Sequence, residues 1–392
     1  MGSLPVRWAT LALWCCCPVA VAQIAGRFYL EKTVFARGEP VFLAFEVSNS
    51  SREPQDIISA NRYSPCSGYQ IQLDSDPSLA SLCALLPAAG SCWVSSMTLA
   101  PGAKYTERIL INYRHDVSAP GDYAIEAERY LPHAPAGTPL PRQPNLEIHE
   151  RLHFAVDGNI PFDSQRLKSW VDQLQSADIS QRAEAALILA SLAPPSLEVT
   201  LLRFAEDEGL RQWAPLAMHR LNTPRSIAAL AEIVRLTLPG DQEHAQSAQF
   251  LASTGDPQWF PLLLAPAKQR PGDGTYLYPA AESGGDRAVP FLTESIRSGP
   301  RPTRQVAISA LAYTGSRAAI PILLGLLKSP DSETSERSLY ALRNLTHRTA
   351  NAAEAPPQSQ YGRWRDWWSR HSESARIYKA TECGEFLPLE QD

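Results

Sequence analysis

His149 and His153 stand four residues apart in LEIHERLHF. On an α-helix that spacing would put both rings on one side, where they could share a metal ion. Ile148, Leu152 and Phe154 alternate around them in strand fashion instead. At ~3.3 Å per residue the two imidazoles then lie about 13 Å apart, too far to hold one ion. His115-Asp116 in NYRHDVSAPG has the residue types of an acid–base pair. It falls where a strand gives way to a turn, a place where aspartate commonly bonds its own backbone. Glu206, Asp207 and Glu208 in FAEDEGL have cation-binding chemistry, but Gly209 follows them and they read as a solvated turn between helices. The frames H-E-x-x-H, G-x-S-x-G, G-x-x-x-x-G-K-[ST] and G-x-G-x-x-G in its strand–helix context are absent. No nucleophile stands beside a base at a recognisable spacing. The expectation is a protein without catalytic residues, metal or cofactor, whose function lies in a surface.

Cysteines set the compartment. The chain opens MGSLPVRWATLALWCCCPVAVAQ, with Arg7 before an apolar run and Ala20-Val21-Ala22 at its end, the pattern of a secretory signal over 1–22 cleaved before Gln23. Cys15, Cys16 and Cys17 raise lipid anchoring as the minor alternative, since none follows the usual small residue. An exported protein, periplasmic or extracellular, permits disulfides among the remaining Cys66, Cys83, Cys92 and Cys383. Pro87 and Gly90 turn the segment between Cys83 and Cys92 back on itself, which makes that pair the preferred bridge. Cys66 is free to pair with either of them or with Cys383. No two of these cysteines have the spacing of a zinc knuckle.

The formal charge of −5 and pI near 6.0 give no field for a nucleic-acid backbone. A basic excess near the end, Arg343, Arg348, Arg363, Arg365, Arg370, Arg376 and Lys379 against Glu354, Asp366 and Glu373, reads as a solvated helix face. No stretch after the leader is apolar enough to span a bilayer.

The elements that position these residues fall into two modules. From 24 to 157 the chain has many short β-signals and hardly a helical window. Val41, Leu43, Phe45 and Val47 recur at period two after the turn cluster Arg37-Gly38-Glu39-Pro40. The expected fold is an antiparallel β-sandwich, and Pro120-Gly121-Asp122-Tyr123 before a late strand gives it an immunoglobulin-like look. VFARGEPVFLAFEVSNSS also resembles bacterial secreted Ig-like modules that include the BsuPI-type proteinase-inhibitor fold. A proline-rich loop over 131–144 precedes one more strand at 146–156, and Asp157-Gly158-Asn159-Ile160-Pro161 marks the boundary.

From 163 to 348 the period changes. Gly255, Gly285 and Gly315 recur every 30 residues, each followed by a side chain able to cap a helix: Asp256, Asp286 and Ser316. Glycine takes the left-handed conformation that stops one helix, and the next side chain accepts from the first free amides of the following one. Asn222-Thr223-Pro224 repeats that logic upstream. Leu251, Ala281 and Leu311 before the stops, and Leu262, Leu292 and Ile322 after them, give each helix pair one apolar side. Five or six such pairs must stack to bury those sides, as an α-solenoid. Here ALILASL, AQFLASTGDPQWFPLLL and AISALAYTGSRAAIPILLGLL resemble the HEAT-repeat family, in its short bacterial form called PBS-lyase HEAT-like. The resemblance implies an armadillo-type α-solenoid and, for most members, a binding scaffold. The repeat PGDGTYLYPAAESGGDRAVPFL departs from it, with Gly-rich sequence and tyrosines where small aliphatics are usual.

A polar loop, 349–360, then leads to a Trp-rich helix over 361–371 and a tail, 372–392. Trp364, Trp367 and Trp368 share one helical side, suited to closing the open end of an array. The expected function is protein or peptide binding on the concave face made by the second helices of the repeats. Tyr276 and Tyr278 are its expected contact residues, because aromatics concentrate where interfaces are strongest. The alternatives are an enzyme, lyase or hydrolase, with a dispersed site, and a proteinase inhibitor acting through the Ig-like module.

Overall fold

The computed structural model describes residues 24–60, 68–74, 94–348, 356–380 and 386–388. The leader, and the disulfide candidates Cys66, Cys83, Cys92 and Cys383, lie outside the described residues.

The first part is β-rich. Its strands are β1 (Ile24–Leu30), β2 (Val34–Ala36), β3 (Phe42–Asn49), β4 (Gln55–Ala60), β5 (Tyr69–Asp74), β6 (Val94–Leu99), β7 (Lys104–Leu110), β8 (Gly121–Leu131), β9 (His133–Pro135) and β10 (Leu146–Asp157). They form three sheets, ordered β1-β3-β7, β2-β10-β8-β5 and β6-β4-β9. The alternation read in the sequence is what buries β3. Leu43, Phe45 and Val47 point inward, and Phe45 meets Tyr69 of the second sheet edge-on, ring centres 5.5 Å apart. Glu46, one residue out of phase, faces outward between Arg27 and Lys104, each 3.1 Å from its carboxylate. The two cations hold that carboxyl below its ordinary range. The span 131–144 is not wholly loop: β9 pairs antiparallel with β4.

The second part is helical: α1 (Ser164–Gln173), α2 (Ile179–Leu192), α3 (Glu198–Leu202), α4 (Ala214–Leu221), α5 (Pro224–Leu236), α6 (Gln242–Ser253), α7 (Phe260–Gln269), α8 (Leu277–Gly284), α9 (Val289–Ser298), α10 (Arg301–Ala310), α11 (Ala319–Leu326), α12 (Ser332–Thr346) and α13 (Pro357–His371). From α5 on, consecutive helices pack as pairs, α5 with α6, α7 with α8, α9 with α10 and α11 with α12. The second helices also touch one another in order, α4 to α6, α6 to α8, α8 to α10 and α10 to α12, so they form a continuous row. Small side chains permit this approach: Ala217, Ala248, Ala252, Ala280, Ala281, Ala307, Ala310 and Ala341 are all fully buried. At Gly284 even a methyl group would sit 2.5 Å from the Phe260 ring.

The stops are local backbone events. Asn222, Gly255 and Gly315 have φ of +46°, +71° and +60°, the left-handed region. Thr223 then forms a capping box with Ser226, Asp256 accepts from the Gln258 amide at 2.9 Å, and Ser316 accepts from the Ala318 amide at 3.0 Å. Asp286 does not cap. Gly285 combines φ +55° with ψ −131°, and a 3₁₀ turn already begins at that residue, so Asp286 lies inside it. Its carboxylate instead accepts the hydroxyl of Ser316, linking two successive turns.

The end of the chain also differs from expectation. Residues 357–360, expected as loop, belong to α13, where Pro357 suits the first helical position. The tail contains a strand, β11 (Tyr378–Ala380), paired with β12 (Phe386–Pro388). Leu110 and Tyr113 of the β-rich part join the helical core, so the two parts share one apolar boundary. Beside that boundary Glu39 is held by Lys32 at 2.6 Å and by Arg166 of α1 at 3.1 Å.

Candidate functional site

The C-terminal ends of the second helices lie along one edge of the row, and unsatisfied carbonyls collect there. Two segments of the same chain from outside the helix row, a 3₁₀ turn at 111–113 and the tail, cover most of that edge. At the first end, residues 111–113 pack on α2, and Arg220 in the last turn of α4 donates to the carbonyls of Asn112 (2.6 Å) and His115 (3.4 Å). At the far end the chain after α13 crosses α12, the 3₁₀ turn Leu311–Thr314 and α8. Arg317 donates to the carbonyls of Ser372 (2.8 Å) and Ala375 (2.6 Å), and Lys379 donates to that of Glu282 in the last turn of α8 (2.7 Å). Ala375, Ile377 and Ala380 are buried beneath it, and the Tyr378 ring lies 5.2 Å from His347.

The end of α6 lies between these covers and is open, with Ser253, Thr254 and Gly255 exposed. A cleft of about 570 Å³ opens there, walled by Asp116 of the β-rich part, by His219, Arg220 and Asn222 at the end of α4, and by Asp256 and Trp259. Three features singled out in the sequence therefore meet in one place: the His115-Asp116 turn, the Asn222 stop and the Asp256 cap.

The electrostatics suit binding more than proton transfer. His219 lies flat on Phe250, ring centres 4.2 Å apart, and burial, assisted by Arg220, holds its pKa at about 4. Burial, opposed by a backbone hydrogen bond at Ile71, likewise puts His115 at about 4, with Arg114 and Arg220 adding to the depression. Arg220 is pushed down to about 10 by burial and still carries its charge at neutral pH. Asp116 accepts from the Ser118 amide at 2.9 Å, so its turn chemistry is satisfied while the side chain still faces the cleft. The two hydroxyls at the cleft are engaged with their own helix, Ser253 with the Phe250 carbonyl at 2.9 Å and Thr254 with the Leu251 carbonyl at 2.7 Å. Neither is aimed as a nucleophile.

The expected contact residues are elsewhere. Tyr276 is a correction: it is 0% exposed, its hydroxyl accepts from the Gly240 amide at 2.8 Å, and its ring meets His244 edge-on. It is core, holding the loop before α6, and has no surface to offer a partner. Tyr278 is half-buried against Tyr313, ring centres 4.7 Å apart. His149 and His153 lie on β10, as their neighbours' alternation predicts, with His149 3.1 Å from Glu126. Asp207 pairs with Arg182, and its other oxygen accepts from the Gly209 amide at 2.9 Å. Among the described residues no three His, Cys, Asp or Glu side chains are placed to hold a metal ion, and no helix is long and apolar enough to cross a membrane. Sequence reasoning missed Arg220 and Arg317, and its solvated helix face is corrected at Lys379, which is half-buried on β11; all three bind carbonyls remote in the chain.

Residues 317–347, covering α11 and α12, match the Armadillo/beta-catenin-like repeat, a repeat type that commonly mediates protein binding. No curated protein matches the chain. Among solved structures it is similar to Escherichia coli alpha-2-macroglobulin activated by porcine elastase, at 12% identity and a TM-score of 0.21, over 91% of this chain and 38% of that one. The chain thus spans well under half of that protein, and so low a score carries no argument about fold or function.

Proposed function

We propose that this chain is an exported, non-enzymatic scaffold: an Ig-like β-sandwich followed by a HEAT-like α-solenoid that binds a protein or peptide segment along its concave face. The single observation behind this reading is the row of second helices, covered at both ends of one edge and open at α6. The docking of the tail supports this reading, since arginine and lysine bonds to carbonyls and the buried Ala375, Ile377 and Ala380 hold it on that edge. The helix spacing that makes one row continuous leaves the first helices splayed, and such curvature produces an extended groove without any new chemistry. The experiment is site-specific photocrosslinking in the producing cells, with the crosslinker at exposed Ser253 or, as comparison, at Leu236 on α5, which is 76% exposed. The reading expects a discrete partner band at Ser253 only, and loss of that purified partner's binding in Asp116→Arg/Asp256→Arg. Equal crosslinking at both positions, or at neither, removes it.

A further inference from the structure

A second surface lies at the far end of the array, away from the cleft. Trp364, Trp367 and Trp368 occupy one side of α13, but only Trp364 is buried, at 4% exposure. Trp367 is half-buried, and two further side chains lie against its ring. The Arg348 guanidinium sits over the ring, 4.7 Å from its centre, and His371 stacks on it at 5.7 Å and 17°. Arg363 and Arg370 stand four residues before and three after Trp367, on the same side of α13. Arg348, Arg363 and Arg370 are exposed and none pairs with a carboxylate among the described residues. Asp366, on the same helix, is committed to Arg365 at 2.7 Å.

The position of Arg370 is explained by helix chemistry, since a cation in the last turn is favourable and its Nε donates to the Asp366 carbonyl at 2.9 Å. Arg363, in the middle of α13, has no such explanation, and neither it nor Arg348 donates a hydrogen bond among the described residues. Three exposed guanidiniums, one of them held over an indole, make a receptor for carboxylates. We propose that this patch docks an acidic polypeptide segment, with Arg348, Arg363 and Arg370 as its anchors. Arg363 and Arg370 are about 10 Å apart along the helix axis. An extended strand keeps side chains two and four positions apart on one face, about 7 and 13 Å from each other, so acidic residues at every second position bracket that spacing and reach both. Nucleic acid fits less well, because base stacking needs an exposed aromatic ring, whereas Trp364 is buried, Trp367 and Trp368 are half-buried, and Arg348 already lies over Trp367. A bilayer fits less well too, because the described residues of the patch present no exposed apolar side chain to insert.

The test is fluorescence anisotropy of a labelled decapeptide of alternating Glu and Gly on the full-length protein, in 0.15 M salt. Arg348→Glu/Arg363→Glu/Arg370→Glu is expected to weaken binding at least about tenfold, three partly exposed pairs at roughly 0.5 kcal/mol each. Arg52→Glu/Arg142→Glu/Lys168→Glu, which changes the charge equally on other exposed residues, leaves it within about twofold. The single variant Arg363→Gln, with no hydrogen bond or ion pair to lose among the described residues, is expected to weaken binding about twofold to threefold and serves where the triple variant unfolds. Equal loss in both triples, no binding of the peptide at all, or tighter binding of phosphatidylglycerol vesicles or single-stranded DNA would overturn the proposal.

Discussion

Replacing Arg317 by alanine should release the tail and leave the array standing. The guanidinium makes two charge-assisted bonds, to the Ser372 and Ala375 carbonyls, at 2.8 and 2.6 Å. Such bonds are worth about 1.5–3 kcal/mol each when shielded. Arg317 is half-buried, so solvent screening brings the pair to about 2 kcal/mol. The remaining anchors, burial of Ile377 and Ala380 and the Lys379 bond to Glu282, still favour the docked tail. The tail should therefore open about thirtyfold more often without detaching permanently. Hydrogen exchange read by mass spectrometry on a fragment covering 372–380 measures this directly. Exchange there should accelerate about thirtyfold, with an intermediate value in Arg317→Lys, while fragments from α6 and α8 keep their protection, because the opening is local. If the tail exchanges no faster, the carbonyl bonds do not hold it. If the helices lose protection together with it, the tail is part of the array's cooperative unit, and its role as an occupant of the edge fails.

Gly255→Ala meets no atom within 4 Å and suffers only the left-handed penalty, about 1 kcal/mol, whereas Gly284→Ala drives a methyl into the Phe260 ring and should cost about 3 kcal/mol; calorimetry that reversed this order would refute the packing described. Phe250→Ala should destabilise the helical part by about 3–5 kcal/mol in denaturant titration, since it removes a fully buried ring and the platform beneath His219. His115 and His219 both titrate at about 4 in the fold against an ordinary 6.5. Their folded pKa is depressed, so this contribution is full above pH 6.5 and is lost as the pH falls toward 4, while the unfolded chain takes up protons the fold refuses. Stability should fall by up to about 1.4 kcal/mol per pH unit for each histidine in that window, and the double Gln variant should flatten the fall; an unchanged pH profile would show that burial is not what holds the rings neutral.

The helix stops were legible because a positive φ is a property of one residue. Gly255, Gly315 and Asn222 announce themselves without any partner, and the inward run of β3 does so through its own alternation. Asp286 shows where that logic ends: its residue type is right, but the conformation of Gly285 starts a turn one position early and hands its carboxylate to Ser316. Tyr276 departs from its sequence pattern for a related reason. An aromatic outside the usual repeat pattern reads as exposed until the Gly240 amide, 36 residues away, is seen to satisfy its hydroxyl. The cleft was invisible for the same cause, since its walls are joined by Arg220 reaching across 108 residues and its neighbour is covered by Lys379 reaching across 97. A surface arginine and one that clamps another part of the chain look alike in sequence.

The two covers on the helix edge also act as a ruler. Helices in contact are about 8–10 Å apart, so from α4 to α8 the distance is about 16–20 Å, which an extended chain crosses in about five or six residues. A visitor of that length fits the opening at α6 as it stands. For the scaffold proposed above, anything longer must either lift the tail off α8 or part α4 from the β-rich half of the molecule, so length would select a guest before its side chains did.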